Sequence, residues 1–360
     1  MLLRHNPSVA ALAELGSASI KVVGVGGGGV NALRRMGQNA IPGVDMLCVN
    51  TDAASLDAAR DIKSIMLGSQ STRGQGAGGN PEVGRRAAEE SKEQLLAEFR
   101  GYDLVFITAG MGGGTGTGAA PVVAAAARAA GATTVGVMTT PFQFEGTKRK
   151  LAALRALLPL QGEIDTLILV NNQQLTSIVS KHTSVQAAFA LADQVMVQAI
   201  ASVSRIITTP GEVNIDFADI RAVLRHGGLG LIGIARADGD RRIIQAVRAA
   251  LANPLVDLRL DGAKAVLYCI NAGPDVTLQE ITEAGSYIAS AADPEAQIFF
   301  GLNTDPARQP GDEVEVVIIA THLPQDGIGS APASDLASQS PSPLSILQAA
   351  QNGQPFRTFS

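Results

Sequence analysis

Tryptophan is absent from the sequence, and aromatic residues make up only 4% of its 360 residues. Hydrophobic residues nevertheless make up 46%, so the core has to be built mainly from aliphatic side chains. The low charged fraction, 17%, and the 39 glycines are typical of a globular α/β protein and argue against a disordered chain. A chain of this length can bury a large core without metal or disulfide cross-links.

Cysteine and histidine are also scarce. The two cysteines, Cys48 and Cys269, lie in apolar runs, which predicts buried, unreactive thiols and a reducing compartment. The four histidines do not occur at metal-ligand spacing, and neither a CxxC nor an HExxH motif occurs. We therefore expect no zinc site and no cluster of metal-ligating side chains.

The sequence also has no excess of basic residues. The formal net charge is −5 and the isoelectric point is about 5.5, which argues against nucleic acid and anionic membranes as partners. The N-terminus does not have the pattern of a signal peptide, and no apolar run reaches the roughly 20 residues of a membrane span. These absences predict a cytoplasmic protein that does not insert into a membrane.

Short aliphatic runs alternate with helical segments in the first half of the chain. Continuous aliphatic runs are typical of buried parallel strands, and the helices between them would form the crossovers. The pattern predicts a doubly wound, Rossmann-like α/β domain over residues 19–182. The predicted strands are residues 20–25, 46–50, 104–108, 133–138 and 166–170, and the predicted helices are residues 30–36, 81–100, 119–130 and 148–158.

A long apolar segment, residues 183–206, predicts a central helix that connects this domain to a second one. Thr183 and Gln186 form a capping-box pattern at its start. Residues 207–323 mix helical and strand patterns and predict a smaller α+β domain. Residues 1–18 form an N-terminal extension, and residues 324–360 are so rich in Gln, Ser, Pro, Ala and Gly that we expect a disordered tail.

A glycine-rich run, GVGGGGV at residues 24–30, follows the first strand and opens a helix. Such a turn lets backbone N–H groups and the helix N-terminus approach a phosphate. Gly24, Gly26 and Gly29 also match the dinucleotide fingerprint, with Asp52 as the acidic ribose partner. By itself this run leaves three alternatives open: a dehydrogenase, another nucleotide site and a purely structural turn.

A second glycine-rich run, AGMGGGTGTG at residues 109–118, again lies between a strand and a helix. A dinucleotide fold does not need a second phosphate loop of this kind. Two such loops would place two sets of amides, together with the hydroxyls of Thr115 and Thr117, around one triphosphate. Because the sequence contains no GxxxxGK[ST] motif, the phosphate charge would be met by backbone dipoles and Mg²⁺ rather than by a P-loop lysine.

These runs belong to a set of motifs that resembles the FtsZ family, the tubulin-related GTPases of bacterial cell division, over residues 20–321. The resemblance implies a tubulin/FtsZ-like fold, GTP as substrate, head-to-tail homopolymers, and a ring at the mid-cell division septum. The motifs are GVGGGGVNAL at residues 24–33, VNTD at 49–52, TRGQGAGGNPEVGR at 72–85, TAGMGGGTGTGAAPVV at 108–123, PFQFEG at 141–146 and NIDFADIR at 214–221.

The resemblance also implies roles for individual residues. It places one group at the phosphates, a second in a loop that senses the γ-phosphate, a third at the ribose and a fourth at the base. The phosphate residues are Gly27, Gly28, Gly29, Gly114, Thr115 and Gly116, and the residues of the γ-phosphate sensor are Gly78 and Gly79, within residues 76–80. The ribose residues are Glu145 and Arg149, and the base residues are Asn31, Phe189 and Asp193.

The residue chemistry agrees with the role of Asp193. A carboxylate accepts two hydrogen bonds, and guanine presents the N1–H and N2–H donors on one edge, a pair that adenine lacks. Asp193 should therefore select GTP over ATP. Without the resemblance, a solvated helix aspartate would be the simpler interpretation.

Two aspartates, Asp216 and Asp219, lie where a loop opens a helix, and Asn214 precedes them. Carboxylates in such positions commonly serve only the helix dipole. However, a connecting helix of about 21 residues spans roughly 30 Å, so this loop should lie far from the phosphates of its own chain. We expect these three residues to complete the active site of a neighbouring copy and to orient and polarise the attacking water.

Two departures from the family pattern support an alternative. Arg225, His226 and Gly227 replace a stretch that usually begins with serine, beside the expected subunit interface. The family's C-terminal peptide, which binds membrane anchors such as FtsA, has only a partial counterpart at residues 354–357. The alternative is a divergent FtsZ-like paralogue that polymerises with slow turnover and has a structural or regulatory role.

Overall fold

The structure is a computed structural model, and it describes residues 18–180, 182–209, 211–252, 260–309 and 311–323. The predicted tail, the residues that resemble an anchor-binding peptide, and all but the last residue of the predicted N-terminal extension therefore lie outside the described residues.

The described residues form ten strands and eleven α-helices. The strands are β1 Ile20–Val25, β2 Val44–Asn50, β3 Lys63–Met66, β4 Leu104–Gly110, β5 Thr133–Thr140, β6 Thr166–Asn171, β7 Gly228–Ala237, β8 Ala265–Ala272, β9 Gln297–Thr304 and β10 Val314–Thr321. The helices are α1 Gly26–Met36, α2 Ala53–Asp57, α3 Pro81–Glu90, α4 Lys92–Phe99, α5 Thr115–Ala129, α6 Thr147–Glu163, α7 Asn172–Ile178, α8 Val185–Thr208, α9 Phe217–Leu224, α10 Arg242–Leu251 and α11 Leu278–Ala291.

The ten strands form one sheet in the order β3-β2-β1-β4-β5-β6-β7-β10-β8-β9. The first seven strands in this order are parallel, and β10 pairs antiparallel with both β7 and β8. The two halves of the chain join where β6 pairs with β7 through Thr166–Gly228, Leu167–Leu229 and Ile168–Gly230. The predicted domain boundaries stay a prediction, but the sheet is continuous across them.

Helices cover both faces of the sheet, which confirms the doubly wound α/β prediction. One face packs against α3, α4, α5, α6, α10 and α11. The other packs against α1, α2, α8 and α9. Strands β1 and β5 are buried along their whole length, as expected for parallel strands with a helical layer on each side. Cys48 and Cys269 are buried, which confirms the prediction of buried thiols, and burial raises the pKa of each thiol to about 12, which disfavours the reactive thiolate.

The structure corrects several element boundaries. The predicted helix at residues 81–100 is two helices that meet at Ser91, whose hydroxyl accepts a hydrogen bond from the Gly68 N–H at 3.1 Å. The capping-box prediction is wrong, because the N-cap of α8 is Ser184, whose hydroxyl accepts from the Ala187 N–H. Strand β3 and the short helices α2 and α7 were not predicted, since segments of four to seven residues carry little periodicity.

Helix α8 is the longest helix of the fold, with 24 residues. Within the described residues it alone is long and apolar enough, by length and composition, to cross a membrane. Half of its most apolar window is buried, and its buried side chains pack against the sheet together with those of α1. Packing in the core therefore accounts for its composition.

Helices α3 and α5 approach each other at backbone distance. A Cβ atom added at Gly118 would lie 1.9 Å from the Pro81 carbonyl oxygen, and one added at Gly84 would lie 2.4 Å from the Gly114 oxygen. Neither position tolerates a side chain without moving a helix. Because Pro81 follows the 76–80 loop and Gly114 lies in the second glycine-rich run, this contact fixes the distance between two of the predicted phosphate-binding segments.

We predict that Gly118→Ala destabilises the fold by about 1–3 kcal/mol, because overpacking forces α3 and α5 apart. Gly162→Ala is the matched control, since Gly162 is exposed on α6 and an added Cβ meets no atom within 4 Å. The control should be neutral or stabilising by up to about 1 kcal/mol. Urea unfolding of both variants measures the difference, and equal stabilities would contradict the backbone contact.

Candidate functional site

A cleft of about 520 Å³ opens at the carboxyl ends of the parallel strands. Ligand sites of open α/β sheets lie at this edge, because the loops that follow the strands converge there. The volume is in the range of small-molecule sites. Its walls come from segments that are far apart in sequence: Gly27 and Gly28; Asn50 and Asp52; Gly76, Ala77 and Gly79; Gly110, Met111 and Gly113 to Gly116; Thr139 and Pro141; Glu145 and Arg149; Asn172; and Phe189, Ala192, Asp193 and Met196.

The two glycine-rich runs meet at the floor of this cleft. Gly26 has φ +68°, a left-handed conformation that favours glycine, and a Cβ there would lie 2.7 Å from the Gly116 nitrogen. A Cβ at Gly28 would lie 3.1 Å from the Gly110 nitrogen. The absence of side chains therefore lets the β1–α1 and β4–α5 turns touch and line one cleft.

Both turns open helices whose first N–H groups lack a side-chain cap. The N-cap of α1 is Val25 and that of α5 is Gly114, and neither makes a side-chain capping hydrogen bond. Uncapped N-terminal amides carry partial positive charge and bind anions. The geometry therefore fits a polyphosphate, as the two glycine-rich runs predicted.

The hydroxyls of Thr115 and Thr117 have different environments. Thr115 lines the cleft, and its Oγ1 lies 2.6 Å from that of Thr51. Thr117 is buried, and its Oγ1 accepts a hydrogen bond from the Gly112 N–H at 2.8 Å. The expectation that both hydroxyls surround the phosphates is therefore wrong for Thr117, which holds the loop in shape.

The predicted γ-phosphate sensor, residues 76–80, forms one wall of the cleft. Gly76, Gly78 and Gly79 all have positive φ, and Asn80 ends the loop as the N-cap of α3, with its side chain accepting from the Glu82 N–H at 3.0 Å. Gly76 and Gly79 line the cleft, whereas Gly78 is exposed beside them. The loop is anchored at its α3 end and carries small residues at the cleft.

The predicted ribose residues form an ion pair at the cleft. Arg149 on α6 donates from Nη1 to Glu145 Oε2 at 2.5 Å, and Glu145 Oε1 accepts from the Phe142 N–H at 2.9 Å. Both residues line the cleft. A carboxylate held in place by two hydrogen bonds and a guanidinium are therefore available to a ligand in the cleft.

The predicted base residues lie on the wall formed by α8. Phe189 is 38% exposed and meets the rings of Phe142 and Phe144 edge to face, with centroids 5.3 and 6.1 Å away. Asp193 lies one turn further along α8, is 8% exposed, and accepts a hydrogen bond from Arg35 Nε at 3.2 Å. An aromatic ring and a buried carboxylate on one wall suit a flat heterocycle with hydrogen-bond donors.

Burial raises the pKa of Asp193, and the hydrogen bond and charge of Arg35 act in the opposite direction. The protonation state of this carboxylate therefore depends on one neighbouring cation.

Sequence reasoning missed Asn172, which follows β6. Its side chain is 4% exposed and lines the cleft, and its Oδ1 has no hydrogen-bond partner among the described residues. A buried amide oxygen without a partner is costly unless a ligand supplies a donor. Its position at the carboxyl end of a parallel strand is the sequence signal that could have identified it.

Two of the predicted phosphate and base residues do not line the cleft. A Cβ at Gly29 would lie 2.4 Å from the Thr108 carbonyl oxygen, so this glycine lets α1 pack against β4. Asn31 is exposed on α1 outside the lining residues. Their contacts with a ligand stay predictions.

The predicted catalytic residues lie at the opposite end of the fold. Asn214 and Asp216 line a groove of about 970 Å³ together with Ser19 and Asp45, which lie at the amino ends of β1 and β2. Asp216 is the N-cap of α9, and Asp219 is in the first turn of that helix. On helix α8 the cleft is lined by residues around Asp193 and the groove by residues up to Thr208, a separation of 15 residues, or about 22 Å along the helix. The cleft and these aspartates therefore do not form one site within a single chain.

The donor set of the cleft fits a magnesium ion held mainly by its ligand's phosphates. The described residues contain no cluster of three or more His, Cys, Asp or Glu side chains that could hold a metal. Asp52 is the carboxylate beside the glycine loops, and one of its oxygens already accepts from the Ala54 N–H. Mg²⁺ commonly uses one or two carboxylates together with phosphate oxygens and water.

Comparisons with known proteins agree with this geometry. A family model described as the GTPase domain of the tubulin/FtsZ family matches residues 19–180, and one described as the C-terminal domain of the FtsZ family matches residues 228–324. An empty FtsZ dimer from M. jannaschii is similar with a TM-score of 0.80 and 40% identity, over 88% of this chain and 92% of that one. These findings confirm the tubulin/FtsZ-like fold expected from the motifs.

A more distant likeness concerns the fold alone. CetZ2 from Haloferax volcanii, solved as a GTPγS-bound protofilament, has a TM-score of 0.74 at 21% identity, over 93% of this chain and 98% of that one.

We predict that Gly27→Ala and Gly29→Ala fail in different ways. At Gly27 an added Cβ meets no protein atom within 4 Å, so the fold should be kept while the methyl group occupies ligand space and lowers nucleotide affinity about tenfold. At Gly29 the clash with β4 should lower the free energy of unfolding by about 1–3 kcal/mol. Thermal unfolding and titration with a fluorescent guanine nucleotide separate the two effects. If Gly27→Ala lost stability to the same extent, its place at the ligand would be wrong.

Proposed function

Because the chain belongs to the tubulin/FtsZ family of GTPases, we propose that it binds GTP in the cleft and hydrolyses it in head-to-tail filaments. The observation that carries the proposal is that the cleft lies along the first half of α8, whereas the acidic loop, residues 214–219, follows the end of that helix. A site divided in this way is complete only where two copies meet.

Recognition of the base would rest on α8 and on Asn172, which follows the carboxyl end of β6. The two oxygens of Asp193 suit the N1–H and N2–H donors of guanine, and the ring of Phe189 lies one turn away on the same wall. Asn172 adds an amide whose oxygen still has acceptor capacity. Adenine lacks the paired donors, so the site should prefer GTP over ATP.

The phosphates would lie against the amides of the two glycine-rich turns and the hydroxyl of Thr115. Because helix N-termini and backbone N–H groups carry only partial charge, a divalent cation is expected to neutralise the remainder. Mg²⁺ would supply charge neutralisation at the β- and γ-phosphates, and Asp52 is the carboxylate placed to hold it.

Hydrolysis would use the acidic loop of the next copy. Water attacks the γ-phosphorus, a new P–O bond forms, the bond to the β-phosphate bridging oxygen breaks, and GDP leaves. Asp216 and Asp219 would orient the water and accept its proton, and Asn214 would help to position it. Asn214 Oδ1 accepts from the Gly211 N–H at 2.6 Å, which holds that side chain in the loop.

Contact between the cleft face of one copy and the acidic-loop face of the next is heterologous. Such a contact grows into a filament when its rotation does not close a ring. Turnover and assembly are then coupled, because each new interface creates one active site.

We further propose that these filaments form the division ring at mid-cell on the cytoplasmic side of the membrane. A membrane anchor such as FtsA would bind the tail, which lies outside the described residues. The slow-turnover paralogue remains the alternative, and the GTPase rate of the wild-type chain above its assembly concentration decides between the two.

We predict that Asp219→Ala binds GTP with unchanged affinity but loses about 10²-fold in turnover, since a positioned acid–base group contributes at least that much. The measurements are nucleotide titration and phosphate release. Glu93→Ala is the matched control, because Glu93 is an exposed acidic residue in the first turn of α4. It should keep both affinity and rate.

A mixing experiment tests whether the site is shared. Asp193→Ala should not bind GTP, and Asp219→Ala should cleave it about 10²-fold more slowly, so neither variant alone has more than about 1% of the wild-type turnover. Random assembly of an equal mixture places a competent nucleotide face against a competent acidic loop in about a quarter of the interfaces. Phosphate release should therefore reappear and rise with protein concentration, whereas a self-contained active site would leave the mixture inactive.

A further inference from the structure

Helix α1 packs along α8 and brings Arg35 against the wall of the cleft. Arg35 Nε donates to Asp193 Oδ2 at 3.2 Å, across 158 residues of sequence. The arginine side chain is 40% exposed and the aspartate side chain only 12%. Arg35 itself does not line the cleft, so it can influence a ligand only through Asp193.

The pairing matters because Asp193 would have to be ionised to recognise guanine. A protonated carboxyl group carries one hydrogen on an oxygen that would otherwise accept, so it cannot accept from both N1–H and N2–H. Burial favours that protonated form, and Arg35 opposes it.

The geometry leaves the aspartate free for a second partner. Arg35 makes one hydrogen bond, to Oδ2, while Asp193 Oδ1 and a second lone pair on Oδ2 remain for the ligand. The contact also restrains the rotation of the carboxylate plane, on which the use of both oxygens by the base depends.

We propose that Arg35 is a positioning residue for base recognition, which holds Asp193 ionised and oriented and thereby sets the preference for guanine over adenine. The inference rests on the proposed function, because it assumes that the cleft binds GTP through Asp193.

Other charged groups around the cleft are placed differently. On α1, Arg34 is an exposed neighbour of Arg35. On the remaining walls, Asp52 caps α2, and Glu145 pairs with Arg149. Within the part of the chain that the structure describes, Arg35 is the charged side chain in contact with Asp193. Removing its charge should therefore act mainly on that carboxylate.

The test compares Arg35→Gln and Arg35→Lys with the wild type, and Arg34→Gln is the matched control. Affinities for GTP and ATP are measured by calorimetry between about pH 5.5 and pH 8.5. Without the guanidinium, the pKa of Asp193 rises, so the protonated form accumulates as pH falls. Arg35→Gln should lose GTP affinity by about tenfold per pH unit below that pKa. In wild type, Arg35→Lys and Arg34→Gln the loss of affinity should begin at a lower pH than in Arg35→Gln, because each keeps a cation beside Asp193.

A second set of variants, made in Asp193→Asn, tests whether the pH dependence comes from this carboxylate. In Asp193→Asn the group at this position cannot ionise, so adding Arg35→Gln should create no pH slope in nucleotide affinity. Arg35→Met, which keeps the aliphatic part of the side chain, replaces Arg35→Gln if that variant does not fold. A ¹³C titration of the Asp193 carboxyl group should show its pKa rising when Arg35 loses its charge.

The outcomes separate the inference from the proposed function. If wild type binds GTP and Arg35→Gln binds it equally well at every pH, the positioning role is wrong and the proposed function stands. If Arg35→Gln weakens GTP and ATP equally and without pH dependence, Arg35 is only a packing residue. If wild type does not bind GTP, the proposed function itself fails.

Discussion

The contact between two glycine-rich turns is the constraint on which the rest of the site depends. Gly26 and Gly116 approach so closely that a Cβ on the first would lie 2.7 Å from the nitrogen of the second. That approach brings two uncapped helix N-termini to the same edge of the sheet, where both turns line one cleft. Close backbone contact at glycine also joins the neighbouring elements, because Gly84 and Gly118 let α3 and the 76–80 loop pack against α5.

Helix α8 holds the cleft and the predicted catalytic loop at separate places in the fold. Its first half carries Phe189 and Asp193 on the cleft wall, and its end leads to the loop that contains Asp216. Because an α-helix rises by about 1.5 Å per residue, the 15 residues from Asp193 to Thr208 keep the cleft and the loop that contains Asp216 about 22 Å apart along the helix in one chain. The aliphatic, half-buried helix packs against the sheet, so the spacing is set by the core and not by a flexible linker.

Much of the fold followed from local patterns, and the exceptions have physical causes. Buried parallel strands are continuous aliphatic runs, so β1, β5 and β6 were predictable to within a few residues. Strand β3 was missed because Lys63–Met66 is short and lies at the sheet edge, where pairing with β2 decides its conformation. Helix α5 begins at Thr115, inside a run of glycines that intrinsic propensity disfavours, because packing against α3 stabilises it.

The sequence by itself determined the residue types on which the proposed site depends: glycine-rich turns after two strands, a carboxylate on an apolar helix, and acidic residues too far along the chain to share one cleft with it. Such features are local, since they depend on residue type and on distance along one helix. The tertiary structure alone decided that Thr117 braces a loop, that Gly29 packs against β4, that Asn172 lines the cleft and that Arg35 meets Asp193. These relations join segments that only the folded sheet and its helices bring within contact distance, and no periodicity along the chain encodes them.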